Sequence, residues 1–303
     1  MLLDEKAQII AAGQEEFPQL FPKPGWVEHD PEAIWSSQAN SIQAAFTAAG
    51  CGWESVRAIG ITNQRETVVA WDAETGEAVG TAIVWQDRRT AAFCDELKTA
   101  GKESWIQERT GLLLDPYFSA GKMKWILENR PQAAELAAVG RLRFGTIDSW
   151  LVWKLSGGNC YVTDVSNASR TQLMDLRSCE WDAELLELFG VPESALPRIV
   201  DSSGELAETS AELSEGLVVP ISGIAGDQQA ALFGQLCFQP GMVKSTYGTG
   251  CFVLMNVGRG PAVSRNKLLS TVAWRIAGKT EYALEGSVFV GGSAVQWLRD
   301  QLG

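Results

Sequence analysis

The sequence predicts an α/β protein whose sheets are covered by helices. Strand-like runs rich in β-branched residues alternate with helical patterns along most of the chain. Glycines and prolines punctuate those patterns at their ends. A composition of 46% hydrophobic and 20% charged residues over 303 positions supplies enough apolar surface for a substantial core. At roughly 100–200 residues per domain, the length predicts one large or two medium domains.

The first residues, Leu2-Leu3-Asp4-Glu5-Lys6-Ala7-Gln8-Ile9-Ile10-Ala11, predict the end of a short strand, a polar turn and the start of a second strand. Asp30-Pro31-Glu32 opens a helix with an acid at the cap and proline at the first helical position. Its apolar positions run through Ile34, Ile42 and Phe46 to a stop at Gly50. Residues 56–62 predict a buried strand. Residues 67–71 and 78–85 predict a hairpin about Asp72-Ala73-Glu74-Thr75-Gly76, whose glycine permits positive φ.

Helices are predicted over residues 87–100, 121–129, 149–155 and 182–189, stopped by Gly101, Pro131, Gly157-Gly158 and Gly190. A strand over 217–224 leads directly into a helix beginning at Asp227. Strands over 242–247, 251–256, 269–276 and 280–284 follow Pro240-Gly241, and a last helix runs from about Gly292 to Leu302. The turn Gln239-Pro240-Gly241 separates two patterned blocks, which predicts domains over residues 1–236 and 237–303.

The formal charge of -12, spread along the chain, repels polyanions, so nucleic acid is not an expected partner. The six scattered cysteines (51, 94, 160, 179, 237 and 251) form no Cys-x-x-Cys pair and predict reduced thiols. Neither a basic and apolar leader nor an eighteen-residue apolar window is found, which predicts a cytoplasmic protein without a membrane span. The single histidine, His29, excludes a histidine metal cluster, and its place in a loop entering a helix predicts a solvated or hydrogen-bonding role.

Phosphoryl transfer needs backbone N–H donors for phosphates, a carboxylate for Mg²⁺ or the attacking hydroxyl, and a pocket that orients the acceptor. Tyr247-Gly248-Thr249-Gly250-Cys251 lies between two strands. Its glycines suit close approach to a phosphate, although a tight hairpin turn is the commoner use of such a Gly-x-Gly. Gly226-Asp227-Gln228-Gln229 follows a hydrophobic strand and opens a helix, the place where open α/β sheets put ligands. Asp227 suits an N-cap and a proton acceptor about equally. Asn63-Gln64-Arg65-Glu66-Thr67 ends another strand, as a surface turn or as a donor and acceptor pair for a polyol. Trp85 and Tyr117 fit apolar walls, though among twelve tryptophans a core role is the commoner one.

Taken together, the motifs resemble the FGGY carbohydrate kinases and, among them, the glycerol kinases. The resemblance runs from Pro24-Gly25-Trp26-Val27-Glu28-His29-Asp30-Pro31 to Gln296-Trp297-Leu298-Arg299-Asp300. It includes residues 61–67, Trp85-Gln86-Asp87-Arg88-Arg89-Thr90, the segment from Tyr117-Phe118-Ser119 to Lys122-Met123-Lys124-Trp125, Thr163 to Arg170, and both glycine motifs. It implies an actin-like, ribonuclease-H-like pair of α/β domains with the site in a cleft, and ATP with Mg²⁺ as cofactors. Glycerol would meet Arg65, Glu66, Tyr117, Asp227 and Gln228, with Trp85 and Phe252 against its carbons. Asp227 would be the general base and the Mg²⁺ carboxylate, and Thr249, Gly292 and Gln296 would contact the nucleotide. The full-length protein would form a dimer or tetramer.

The sequence departs from that pattern in three places. It lacks the initial strand and Asp-x-Gly-Thr-Thr-Ser loop, and it ends at Gly303, so a fold truncated at both ends is expected. Val218 stands where relatives inhibited by fructose 1,6-bisphosphate carry an arginine, so no such inhibition is expected. A kinase for a ketopentose or another sugar, and a catalytically dead polyol-binding module, are the competing expectations.

Overall fold

The computed structural model describes residues 1–302. Seven strands form its main sheet, in the order Val243–Tyr247, Cys251–Gly258, Lys279–Val288, Leu269–Ile276, Ser203–Glu208, Pro220–Gly226 and Ile59–Asn63. Strands on the two sides of the Gln239-Pro240-Gly241 turn share this sheet, joined where Ser203 faces Ile276.

One pairing in this sheet positions the site. Pro220–Gly226 runs parallel to Ile59–Asn63, with Ala225 opposite Thr62 and Gly226 opposite Asn63. Parallel neighbours end on the same side. The segments that follow, Gln64-Arg65-Glu66 and Asp227-Gln228, therefore leave the sheet side by side. Ile59–Asn63 is the last strand of this order among the described residues, and its Gly60 and Thr62 are exposed. The expectation of a fully buried strand over 56–62 is corrected accordingly: the strand starts at Ile59 and only Ile61 and Asn63 are buried.

Two hydrophobic clusters flank the short strand Val69–Asp72. Successive strand side chains point to opposite faces. Val68 and Ala70 accordingly join a cluster with Ile106, Met123, Ile126, Phe144 and Phe189, and Val69 and Trp71 join another with Trp150, Ile221 and Ile224. Trp71 and Trp150 meet edge to face at 5.4 Å.

The helix Pro31–Ala49 forms as its sequence predicts. Asp30 accepts from the Glu32 N–H at its start, and Gly50 ends it in the left-handed region at φ 66°. The Leu2–Leu3 and Ile9–Ala11 pair forms too, its turn held by the Asp4 carboxylate.

Other elements differ from expectation. The hairpin about Gly76 survives only as bridges at Trp71 to Ala78 and Val68 to Ile83, because Val69–Asp72 finds its ladder with Leu142–Gly145 instead. The helix expected from Asp87 begins at Ala91, since the Asp87 carboxylate is taken by the Val27 and Arg89 N–H groups. His29 is buried rather than solvated, in a two-residue strand and edge-on to Phe17 at 5.0 Å. All six cysteines are unpaired. No helix among the described residues is long and apolar enough to cross a membrane.

Candidate active site

At the shared end of the two parallel strands, Gly226 allows the Arg65 side chain to pass over the strand end. A Cβ at this position would lie 2.7 Å from Arg65 Cδ and 2.8 Å from Cγ. The next residue, Glu66, takes φ 59°, in a three-residue turn closed by Thr67 N–H donating to Arg65 C=O at 2.7 Å. A non-glycine residue in that turn stores strain, a feature that clusters at functional sites.

Arg65 and Glu66 are buried in a four-membered charge cluster completed by Arg170 and Glu285. Arg170 Nε donates to Glu66 Oε1 at 2.7 Å, and its Nη2 donates to Glu285 Oε1 at 2.9 Å. Arg65 also donates to Glu285, to the Tyr117 hydroxyl at 3.2 Å and to Gln229 Oε1 at 3.1 Å. The charges balance, two against two, which is what makes their burial tolerable.

Burial opposes the Arg65 charge, but Glu285, Tyr117, Glu66 and Asp227 more than offset it and raise its pKa well above the ordinary guanidinium value. The two acids of the cluster diverge. Burial outweighs the arginines at Glu66 and raises its pKa. At Glu285 the arginines outweigh burial and hold its pKa down at about 2. The cause is geometric, since Glu285 accepts from both arginines whereas Glu66 accepts from one.

Asp227 stands at the mouth of this cluster with its side chain 46% exposed. Its Oδ1 lies 3.2 Å from Arg65 Nε and accepts from the Gln228 N–H at 2.8 Å, while its Oδ2 accepts from Gln228 Nε2 at 2.9 Å. The N-cap position belongs to Gly226, and Asp227 is the first residue of the helix Asp227–Gly234. The capping role weighed for Asp227 is thus not the one it fills. A carboxylate oriented by neighbours yet open to solvent has the chemistry of a proton acceptor.

Aromatic rings wall the same place. Trp85 lies 5.7 Å from Tyr117 and 6.2 Å from Phe252, and Phe289 packs 5.0 Å from Tyr117. The hydroxyl of Tyr117 is kept protonated by burial, which raises its pKa.

Beyond Phe252, the turn Gly248-Thr249-Gly250 meets the start of the helix Gly292–Leu302. Gly291 N–H donates to Thr249 C=O at 2.8 Å, and Gly292 N–H to Gly248 C=O at 2.7 Å. A Cβ on Gly292 would sit 2.5 Å from that Gly248 oxygen, so only glycine closes the junction. The Thr249 and Gly250 N–H groups make no hydrogen bond among the described residues. Thr249 is exposed, so its free N–H fits a phosphate contact. No group of three or more acidic, histidine or cysteine side chains among the described residues could hold a metal. Mg²⁺ fits all the same, because it is usually held by one or two carboxylates together with waters and the substrate phosphates.

The structure therefore brings seven expected residues together: Arg65, Glu66, Trp85, Tyr117, Asp227, Gln228 and Phe252. Thr249 and Gly292 meet at the neighbouring junction, and Gln296 is exposed one turn further along that helix. Sequence reasoning assigned no role to Arg170, Glu285, Lys244 or Phe289. A charged residue within an otherwise apolar or small-residue run, as in Ala283-Leu284-Glu285-Gly286, was the available signal.

The family model described as the FGGY family of carbohydrate kinases, N-terminal domain, matches residues 1–234. The chain belongs to the FGGY family of carbohydrate kinases. It is 55% identical over 303 residues to a glycerol kinase of Chromobacterium violaceum and 57% identical over 303 residues to one of Koribacter versatilis, covering 100% of this chain and 60% of each relative. A solved Plasmodium falciparum glycerol kinase with ADP superposes with a TM-score of 0.91 at 36% identity, covering 98% of this chain and 60% of the other. This FGGY chain thus spans about 60% of the length of these relatives. Its mixed α/β architecture is that of the family's actin-like N-terminal domain.

Proposed function

We propose that this FGGY chain is the part of a glycerol kinase that transfers the γ-phosphate of ATP to glycerol, giving sn-glycerol 3-phosphate and ADP. The observation that carries the reading is Asp227: a half-exposed carboxylate held on both oxygens, beside buried Arg65 and Gln228 donors and an aromatic wall. The names of relatives at 55% and 57% identity support it.

In this reading Asp227 accepts the proton of one glycerol hydroxyl. Arg65, Glu66, Tyr117 and Gln228 orient the other hydroxyls, and Trp85 and Phe252 cover the carbons. A site built to bond every hydroxyl rejects analogues that lack one, by leaving its own buried polar groups unpaired. Bound ATP supplies the phosphoryl group. Thr249, Gly292 and Gln296 would hold the nucleotide, and Asp227 would share Mg²⁺ through its open face.

The match ending at residue 234 supports a boundary between domains 1–236 and 237–303. A cytoplasmic location and a homo-oligomeric full-length protein belong to the same reading. Val218, 55% exposed, offers no charge to a sugar bisphosphate.

Coupled ADP release by the full-length protein over a panel of glycerol, ketopentoses and other polyols tests the function. Turnover confined to glycerol is the expected result. Preference for a ketopentose would replace the substrate assignment, and glycerol binding without turnover would mark the chain as a polyol-binding module.

A further inference from the structure

Lys244 reaches the side chains of the candidate site, and its ammonium donates to Gln228 Oε1 and, at 2.8 Å, to Thr246 Oγ1. Lys244 and Gln228 are both buried, 5% and 6% exposed. Burying an ammonium costs stability unless its donors are satisfied. Burial lowers its pKa to about 8, which leaves it mainly protonated at neutral pH.

The two ends of a glutamine amide are nearly identical in shape, so packing alone does not decide which end points where. Here the partners decide. An ammonium has three donors and no acceptor, and an ionised carboxylate only accepts. With Lys244 on Oε1, the Nε2 group faces Asp227 Oδ2 at 2.9 Å. The flipped amide would set N–H against the ammonium and C=O against the carboxylate, two repulsive contacts in place of two attractive ones. The second Nε2 hydrogen has no protein partner among the described residues.

Resting on the reading of Asp227 and Gln228 as polyol contacts, we infer that Lys244 is a positioning residue that locks the Gln228 amide, making it a donor to both Asp227 and a substrate hydroxyl. The chain of bonds from Asp227 through Gln228 to Lys244 anchors the carboxylate to the strand Val243–Tyr247, which leads directly into the Gly248-Thr249-Gly250 turn. A substrate hydroxyl at Gln228 is then read as an acceptor, and one at Asp227 as a donor.

The test uses Lys244→Met, which keeps the length of the side chain and removes its charge, Lys244→Arg, which keeps donors, and Gln228→Ala. Glycerol affinity is measured by titration calorimetry, and circular dichroism confirms folding. Hydrogen bonds to charged groups predict a loss of about tenfold or more in Lys244→Met, largely restored in Lys244→Arg. In the Gln228→Ala background, Lys244→Met should add no more than about twofold, because Lys244 acts through that amide. Unchanged affinity in Lys244→Met, or the same loss with and without Gln228, overturns the inference.

A second readout needs no ligand. The Gln228 side-chain amide, followed by NMR, should be protected from solvent exchange in the parent and lose that protection in Lys244→Met, with backbone protection unchanged. Retained protection overturns the inference. Absence of glycerol binding by the parent chain overturns the polyol reading alone.

Discussion

Glu285 grips Arg65 with two prongs, Oε2 to Nη1 at 2.7 Å and Oε1 to Nη2 at 3.1 Å, although 220 residues separate them in sequence. Both are buried, and Glu285 also accepts from Arg170. Glu285→Ala would leave two buried guanidiniums facing one buried carboxylate, Glu66, with only the half-exposed Asp227 beside Arg65. Removing one partner of a buried ion pair costs roughly 3–5 kcal/mol. Urea denaturation should read a loss of that order, and a loss under about 1 kcal/mol, the range of an exposed pair, would mean that the cluster is not load-sharing.

Gly292→Ala tests the junction between the Gly248-Thr249-Gly250 turn and the last helix. The added Cβ would lie 2.5 Å from the Gly248 carbonyl oxygen, a backbone atom with no rotamer to change. The junction must open. ADP binding, measured by fluorescence or calorimetry, should weaken while glycerol binding stays within about twofold, since the sites are separate enough for near-additive behaviour. Undiminished ADP affinity would remove the junction from the nucleotide site.

Asp148 supplies a pH dependence. Burial, and then the neighbouring Asp164, pushes its carboxyl up to about 6 from 3.8. The native state therefore holds a proton between those values that the unfolded chain has released. Its stabilising contribution is full below pH 3.8 and is lost as pH rises through about 6. The span of about two pKa units corresponds to roughly 3 kcal/mol. Glu285 has the opposite sign, its contribution being present above 4.5 and lost as pH falls to about 2. Thermal unfolding of Asp148→Asn across pH 4 to 7 should show a smaller fall in stability than the parent. Parallel profiles would contradict the shift.

Much of this site was legible because local pattern and chemistry agree there. A hydrophobic strand, then Gly226-Asp227, then a helix marks a sheet end whatever the rest of the fold does. Arg65 and Glu66 follow another strand in the same way. Arg170 and Glu285 escaped because their role exists only across 115 residues of sequence separation, and the apolar and small residues around Glu285 point to burial without naming its partner. Lys244 escaped for the same reason, since its partner Gln228 lies 16 residues back on a different element. Leu142–Gly145 and Val162–Asp164 were missed because four and three residues are too few to display a period, and their pairing comes from the tertiary fold.

The most direct test of the assignment of Asp227 is coupled ADP release with glycerol in the full-length protein, comparing the parent with Asp227→Asn. The side chain is half exposed and asparagine keeps its shape and an acceptor oxygen for Arg65, so the variant should remain folded and bind glycerol. Its turnover should fall by at least about 10²-fold, the contribution typical of a positioned general base. Turnover equal to that of the parent would contradict the role of Asp227 as the proton acceptor.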